Sequence, residues 1–465
     1  MSGVLAERYA SDQMRDIWSR TCKIKAEREL WVSVLKAQAK AGLEISDNVI
    51  ADYVKVKDVI DIASIDKREM VIKHDVKARI DEFNSLAGHQ KIHIGMTSRD
   101  LTENVELYQI RSSLALVEMK SFALLRHLNE FISKYSELAL VARTHNVPAQ
   151  LTTLGRRFAT WGEELTFALT HLQQLASRLP LKGIKGPIGT SQDLQDLFGD
   201  GYLEIEQGIA KELGFENLLE APSQIYPRSI DFEVVSSLLQ IAAAPSNITI
   251  NIRIMSGYSL LSEGFGRDQV GSSAMPHKVN ARLSERVNGL TTILKGHLVM
   301  VQELLGNQWN EGDVSCSVVR RVALPDAFHA IDAILDTTMR ILADLAVDTE
   351  SIDNEVKKHL PFLLTTKILA LAVKKGLGRE DAHSLIKAHS ITASQNLKSM
   401  QENNLLTLVA EDKRLGMSLI ELESLAKPEE LVTGAIRQTQ TFLKASQKLV
   451  NSNADAIAYR PKESI

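Results

Sequence analysis

No proline occurs in this chain before Pro148, and a second proline-free interval runs from 362 to 427. Proline deletes a backbone donor and fixes φ, and glycine loosens the chain, so their scarcity lets helices run on for many turns. Glycine numbers 25 and proline 11 in 465 residues, below the ~12% combined share of average proteins. From 101 to 134 apolar side chains recur at mostly three- and four-residue steps: Val105, Leu107, Ile110, Leu114, Val117, Leu124, Leu125, Leu128, Phe131 and Ile132. That spacing predicts one helix roughly 50 Å long at ~1.5 Å per residue. Residues 150–178, 230–263, 279–306 and 319–346 read the same way, and Pro245 is expected to kink the second of these. Five long helices pack naturally as a bundle, which makes the fold class all-α. The expected division is a central bundle at 101–348 between smaller helical domains at 1–100 and 349–465. Apolar residues on the long helices are too plentiful for one monomer to cover, so copies of the chain are expected to share the bundle; a stable monomer in sedimentation would contradict this.

Charge and cysteine usage remove several classes of function. Lys and Arg number 54 against 58 Asp and Glu, a net charge of -4. A protein that coats nucleic acid would carry a basic excess instead. Cys22 and Cys316 cannot build a disulfide framework, and the opening MSGVLAERYA lacks the apolar stretch of a secretion signal. A reducing cytoplasm is the expected compartment. The longest uncharged stretch, Val234 to Ile252, carries Ser236, Ser237, Gln240, Pro245, Ser246, Asn247, Thr249 and Asn251. It therefore suits a helix buried among helices better than a membrane span.

HExxH, CxxC, phosphate-loop and dinucleotide-loop patterns are all missing from the sequence. The chemistry is therefore expected to use neither metal nor cofactor. What remains is a dispersed set of polar clusters: Lys73-His74-Asp75, His93 to Asn104 (HIGMTSRDLTEN), Arg143-Thr144-His145, Thr152-Thr153, Ser223-Gln224, and Gly271 to Arg286 (GSSAMPHKVNARLSER). Two glycine-rich segments, 180–191 and 264–278, interrupt the helices, and such loops carry function more often than the elements they join. In the last cluster Lys278 and Asn280 precede a long helix whose first amides favour an anion. A carboxylate ligand fits there, and an alkoxide on Ser272 would be stabilised by the same charges. Composition alone leaves open an ordinary surface loop with capping serines. On its own His145 reads as a histidine bonded at a helix end more readily than as a proton-transfer group. His74 reads as a reactive group or as part of a solvated helix face, and Thr97 or Ser98 as the cap of the helix beginning near 101.

The stretch GSSAMPHKVN from Gly271 to Asn280 matches the pattern GSSxMPxKxN in full and resembles the signature loop of the fumarase/aspartase superfamily. Within it, the chain most resembles the adenylosuccinate lyase family. ERYASDQMRDIWS with ERELW, the HDV at 74, HIGMTSRDLTEN, ARTHNVPAQLTTLGRR and the SER after the signature stand in that family's order. The resemblance spans nearly the whole chain. It implies an all-helical subunit of three domains, a homotetramer about a twenty-helix core, and active sites each built from three subunits. The implied reaction eliminates fumarate from adenylosuccinate, giving AMP, and from the succinylated aminoimidazole carboxamide ribotide of purine synthesis.

By the same resemblance, Ser272 is the general base at the carbon next to the succinyl carboxylate. His145 is the general acid for the departing nitrogen, with Glu285 orienting its ring. Lys278 and Asn280 hold the carboxylate whose charge grows in the carbanion-like intermediate. His74 matches the family's second histidine, flanked in the substrate region by Lys73 and Asp75. Arg8 and Tyr9 match a pair that meets the nucleotide. Thr97, Ser98, Thr144, Gln224, Arg286, Ser317 and Arg321 match substrate contacts. Three departures stand out: Ala281 and Leu151 replace prolines of the pattern, and Gly312 stands where many members carry arginine. Another superfamily member, such as argininosuccinate lyase or the carboxymuconate cycloisomerase, and a helical scaffold without activity are the alternative readings.

Overall fold

The computed structural model describes residues 3–264, 275, 279–399 and 402–461. Six helices open the chain: α1 (Val4–Arg8), α2 (Asp12–Ile17), α3 (Arg20–Lys40), α4 (Asp47–Val56), α5 (Ile62–Ile72) and α6 (Asp75–Ala87). The long α7 (Ser98–Lys134) follows, then an antiparallel hairpin of β1 (Ala139–Thr144) and β2 (Val147–Thr153), then α8 (Leu154–Arg178). Next come β3 (Pro180–Leu181), α9 (Gln192–Phe198), α10 (Tyr202–Glu212), β4 (Asn217–Leu218), α11 (Ser229–Gly257) and β5 (Leu261–Ser262). The bundle is completed by α12 (Arg282–Gln302) and α13 (Ser315–Asp344), with β6 (Ala346–Val347) behind them. The C-terminal part comprises α14 (Thr349–Leu363), α15 (Thr365–Lys374), α16 (Arg379–Lys398), α17 (Leu405–Glu411), α18 (Leu419–Ser424), α19 (Pro428–Leu431), α20 (Thr433–Asn451) and α21 (Ala454–Ala458).

The helical architecture expected from the apolar spacing is present, with the bounds of the five long helices shifted by up to six residues: α7, α11 and α13 begin earlier than expected, and α8 and α12 begin later. Residues 147–153 are extended rather than helical because they pair with β1, and the Thr153 hydroxyl accepts the Arg156 amide at 3.0 Å to start α8 only there. The helix expected over 230–263 stops at Gly257, since Leu261–Ser262 pairs with Ala346–Val347. Three two-stranded pairings, β1–β2, β3–β4 and β5–β6, are thus added to a helical frame. Pro245 sits inside α11, where the Thr249 hydroxyl donates to its carbonyl at 2.8 Å and Asn288 donates to the Ser246 carbonyl at 3.2 Å.

One buried apolar cluster joins the long helices through residues such as Leu107, Ile110, Phe158, Leu165, Leu238, Ile248, Val287, Leu294, Phe328 and Ile334. α20 returns from the C-terminal part to pack on α7 and α8. There Phe442 lies so close to Gly162 that an added Cβ would meet its ring at 2.4 Å, so this crossing needs glycine. A second cluster, including Leu364, Ile368, Leu405, Val409 and Leu422, forms a smaller core among α14–α18. Among the described residues no helix is long and apolar enough to cross a membrane.

Candidate active site

The first group of site residues gathers at the start of α7. The Thr97 amide donates to the Asp100 carboxylate at 2.9 Å, so Thr97 caps a helix that begins at Ser98. Asp100 is fully buried and also accepts Lys182 Nζ at 2.7 Å and the amides of Lys185 and Gly186 at 2.9 and 3.1 Å. One turn on, Asn104 accepts the Lys182 amide at 2.9 Å and donates to the Gly183 carbonyl at 2.8 Å. The glycine-rich segment after α8 is therefore strapped to α7. Lys182 reaches onward to the Gln224 carbonyl at 3.0 Å, and Arg99 to the Asp313 carbonyl at 2.9 Å and the Ser317 hydroxyl at 3.5 Å. Thr97, Ser98, Gln224 and Ser317 thus share one scaffold.

Behind it lies a buried charge network. Arg320 contacts Asp231 at 2.7 Å, Glu106 at 2.7 Å, Glu103 at 3.3 Å and the Tyr226 hydroxyl, while Arg228 meets Glu103 at 2.6 Å. Arg320, Glu103, Asp231 and Tyr226 are all buried. Such groups persist only when paired, and here the pairing fixes the first turns of α13 against α7 and α11. The adjacent residue, Arg321, is exposed and stands 3.8 Å from Asp75. Burial raises the Asp75 carboxyl, but Arg79, the Val76 amide and Arg321 outweigh it and hold the group below its ordinary value. Lys73, in the left-handed region at φ 53, joins α5 to the exposed His74, whose Nδ1 accepts the Lys77 amide at 3.3 Å. His74 is thus the N-cap of α6. Lys73, Asp75 and Arg321 line a cleft of about 900 Å³ together with Arg20, Lys23 and Arg79.

His93, at the head of the same segment, accepts Trp31 Nε1 at 3.1 Å, and burial lowers its imidazole to about 4. A group whose folded value lies below its unfolded one favours folding above the unfolded value, and that contribution is lost as pH falls toward the folded value. Between pH 8 and pH 5 this histidine alone is expected to remove about 2 kcal/mol of stability. Denaturant unfolding at the two pH values measures it, and His93→Gln should flatten that part of the slope.

The hairpin carries the second group. His145 and Asn146 form its two-residue turn with φ of 51 and 61, the left-handed pair that matches strand twist. His145 therefore sits at a hairpin tip rather than at a helix end. Thr144 and His145 are exposed. Arg143 braces the tip by donating to the Asn146 carbonyl at 3.3 Å, stacking over Tyr258 at 4.6 Å and pairing with Glu355.

The third group surrounds the start of α12. Ala281 offers no capping side chain, and Glu263 replaces it, accepting the amides of Leu283 and Ser284 at 3.0 and 2.6 Å. The Asn280 carbonyl accepts the Arg282 amide at 2.9 Å, and Glu285 is exposed on the first turn. Arg286 and Arg8 both lie against the Tyr9 ring, at 5.6 and 5.9 Å. Burial pushes the Arg286 guanidinium down, Tyr9 opposes this, and Arg340, Arg8 and Arg282 add to it. Its buried Nη1 has no hydrogen-bond partner among the described residues. Ser272 and Lys278 lie outside the described residues.

Within one chain the first and third groups are far apart. Arg321 and Arg340, which belong to the first and third groups, are separated along α13 by roughly 28 Å at ~1.5 Å per residue. Among the described residues His145 makes no hydrogen bond to either group. Sequence reasoning gave no role to Asp100, Glu103, Glu106, Lys182, Asp231, Glu263 and Arg320, although the first two lie inside the HIGMTSRDLTEN cluster. A signal existed for two of them, since Asp100 and Glu103 continue the stripe of Leu107, Ile110, Leu114 and Val117 at helical steps. The Gly312 departure has a backbone cause: its φ is 134, which other residues rarely adopt, and a Cβ there would meet Ile225 at 3.3 Å. Leu151 packs against the C-terminal core.

A lyase family model matches residues 7–296, and a model of the adenylosuccinate lyase C-terminus matches 361–442. Among curated proteins, the adenylosuccinate lyase of Saccharomyces cerevisiae is 31% identical over 457 residues, covering 96% of this chain and 94% of the yeast protein. That of Pyrococcus abyssi is 31% identical over 402 residues, covering 85% and 88%. Among solved structures, the 3-carboxy-cis,cis-muconate lactonizing enzyme of Pseudomonas putida superposes with a TM-score of 0.83 at 20% identity, covering 96% of this chain and 99% of that one. A fumarate lyase of Mesorhizobium sp. BNC1 gives 0.80 at 18% identity, covering 96% and 99%.

Proposed function

Since this chain belongs to the adenylosuccinate lyase family and is a carbon–nitrogen lyase, we propose that it eliminates fumarate from adenylosuccinate to give AMP. We extend the proposal to the succinylated aminoimidazole carboxamide ribotide, whose amine leaves by the same chemistry. The observation that carries the reading is identity running from end to end with curated relatives of that activity.

In this reading Ser272, as its alkoxide, takes the proton from the carbon beside the succinyl carboxylate. The electron pair left on that carbon is delocalised into the carboxylate, whose added charge Lys278 and Asn280 oppose. The pair then forms the carbon–carbon double bond as the carbon–nitrogen bond breaks, and His145 protonates the departing nitrogen. The products are fumarate and the free amine. Glu285 orients the His145 ring. The cleft of Lys73, Asp75 and Arg321, with His74 next to it in the chain, and the cluster of Arg8, Tyr9 and Arg286 supply cations and an aromatic face for a phosphorylated nucleotide. Thr97, Ser98, Thr144, Gln224 and Ser317 supply hydroxyls and an amide around it. Preorganised charge of this kind is the largest single source of rate in many enzymes.

The separation of the first and third groups supports a homotetramer in which neighbouring chains bring them together. A supporting feature is the set of exposed apolar residues Val314, just before α13, and Val318 and Val322 on it, with Ile250 and Ile254 on α11 and Ile293 on α12. On α12, Gly289 and Gly296 flank Ile293 and leave room for a neighbouring helix, since an added Cβ meets nothing within 4 Å at either. The cytoplasm is the compartment that fits this metabolic role.

A second reading is a cycloisomerase acting on carboxymuconate; the superposition on the lactonizing enzyme bears on the fold alone. A spectrophotometric assay of the purified protein decides. Adenylosuccinate should yield AMP and fumarate in equal amounts, while argininosuccinate and carboxymuconate remain unchanged. Turnover of either of those with none of adenylosuccinate would overturn the proposal.

A further inference from the structure

A cavity of about 550 Å³ opens between the base of the β1–β2 hairpin, the first turn of α8 and the first turns of α20. It lies beside the hairpin of the second group, with which it shares Arg143, and its size suits a small molecule. Three guanidiniums line it: Arg143 from β1, and Arg156 and Arg157 from α8. Their internal partners leave donors over. Arg157 gives one hydrogen bond, to the Val141 carbonyl at 3.0 Å, and Arg156 bonds only the neutral groups Gln438 at 2.6 Å and Thr160 at 2.8 Å. Among the described residues the cavity lining holds no carboxylate, and Glu355, which acts on Arg157 from nearby, is already ion-paired with Arg143. Burial pushes the Arg157 guanidinium down, Glu355 opposes this, and Arg143 reinforces it. Three positive charges therefore face one cavity against a single negative one.

We infer that this cavity is a binding site for a compact phosphate-bearing anion, with Arg143, Arg156 and Arg157 as its ligands. Guanidiniums match phosphate oxygens with paired donors. A terminal phosphate presents three oxygens, one for each guanidinium, whereas a carboxylate presents two, so phosphate is the better match. The site also touches the hairpin tip through Arg143, which braces Asn146.

Calorimetric titration of the full chain with tripolyphosphate tests this. Arg156→Gln should weaken one binding event per chain by ~10-fold or more, the scale of a charged hydrogen bond. Gln438 is exposed, so Gln438→Glu leaves the fold intact while setting a carboxylate against Arg156, and it should weaken the same event similarly. Arg321→Ala, in the 900 Å³ cleft, should leave that event unchanged. Citrate should bind at least ~10-fold more weakly than tripolyphosphate. Absence of binding to the unaltered protein, unchanged affinity in both Arg156→Gln and Gln438→Glu, or equal affinity for citrate would overturn the assignment.

Discussion

Replacing His145 by alanine is expected to lower turnover at least ~100-fold, the scale of a lost acid–base catalyst, with the fold and substrate affinity retained. The expectation follows from where the residue stands. His145 is exposed at a hairpin tip and bonds to nothing among the described residues, so its loss opens no cavity and strands no partner. The hairpin itself is held from below by Arg143 through Asn146, Tyr258 and Glu355. A departing amine is a poor leaving group unless protonated, and that burden would fall back on water. Steady-state rates with adenylosuccinate, alongside thermal unfolding, separate the two effects. A variant that melts normally but turns over at the original rate would remove the general-acid assignment. Ser272→Ala should abolish turnover in the same way, again with binding retained.

Replacing Arg320 by alanine is expected to have the largest effect on stability. Its guanidinium is buried and pairs with Asp231, Glu103 and Glu106, and removal leaves three carboxylates to the weaker compensation of Arg228, Arg99 and Lys23. Breaking a buried pair from one side costs about 3–5 kcal/mol. The cost arises less from lost attraction than from the uncompensated charge that remains. Because the network fixes the start of α13, Ser317 and Arg321 should lose their positions, and KM should rise. Unfolding in urea measures the first effect and steady-state kinetics the second. A loss below about 1 kcal/mol would mean that water enters and solvates the carboxylates, and the positioning argument would fail with it.

The five long helices were legible because burial repeats every three or four residues along each of them, and proline scarcity removed the competing interruptions. The hairpin was not, since Val147–Thr153 is too short and too polar to stand apart from the helix that follows it. What ends the extended run is the hydroxyl of Thr153 accepting an amide three residues on, a contact compatible with either reading until β1 is found beside it. The two-residue pairings β3–β4 and β5–β6 leave no periodic trace at all. Candidate residues were found where reactive types cluster in sequence, as at 73–75, 143–145 and 271–286. Residues that act by holding others escaped: Lys182 and Glu263 look like ordinary surface charges, yet one ties α7 to Gln224 and the other caps α12. Their role depends on contacts across 20 to 82 positions of sequence, which no local pattern records.

In the proposed tetramer one chain's Ser272 works with another chain's His145. Inactive Ser272→Ala and His145→Ala proteins, unfolded together and refolded as mixed oligomers, test this directly. Sites that draw both intact residues from different subunits should restore a fraction of the original turnover, near one quarter if equal amounts mix at random in a site using one residue from each of two chains. Mixed oligomers that form and yet remain as inactive as their parents would contradict it.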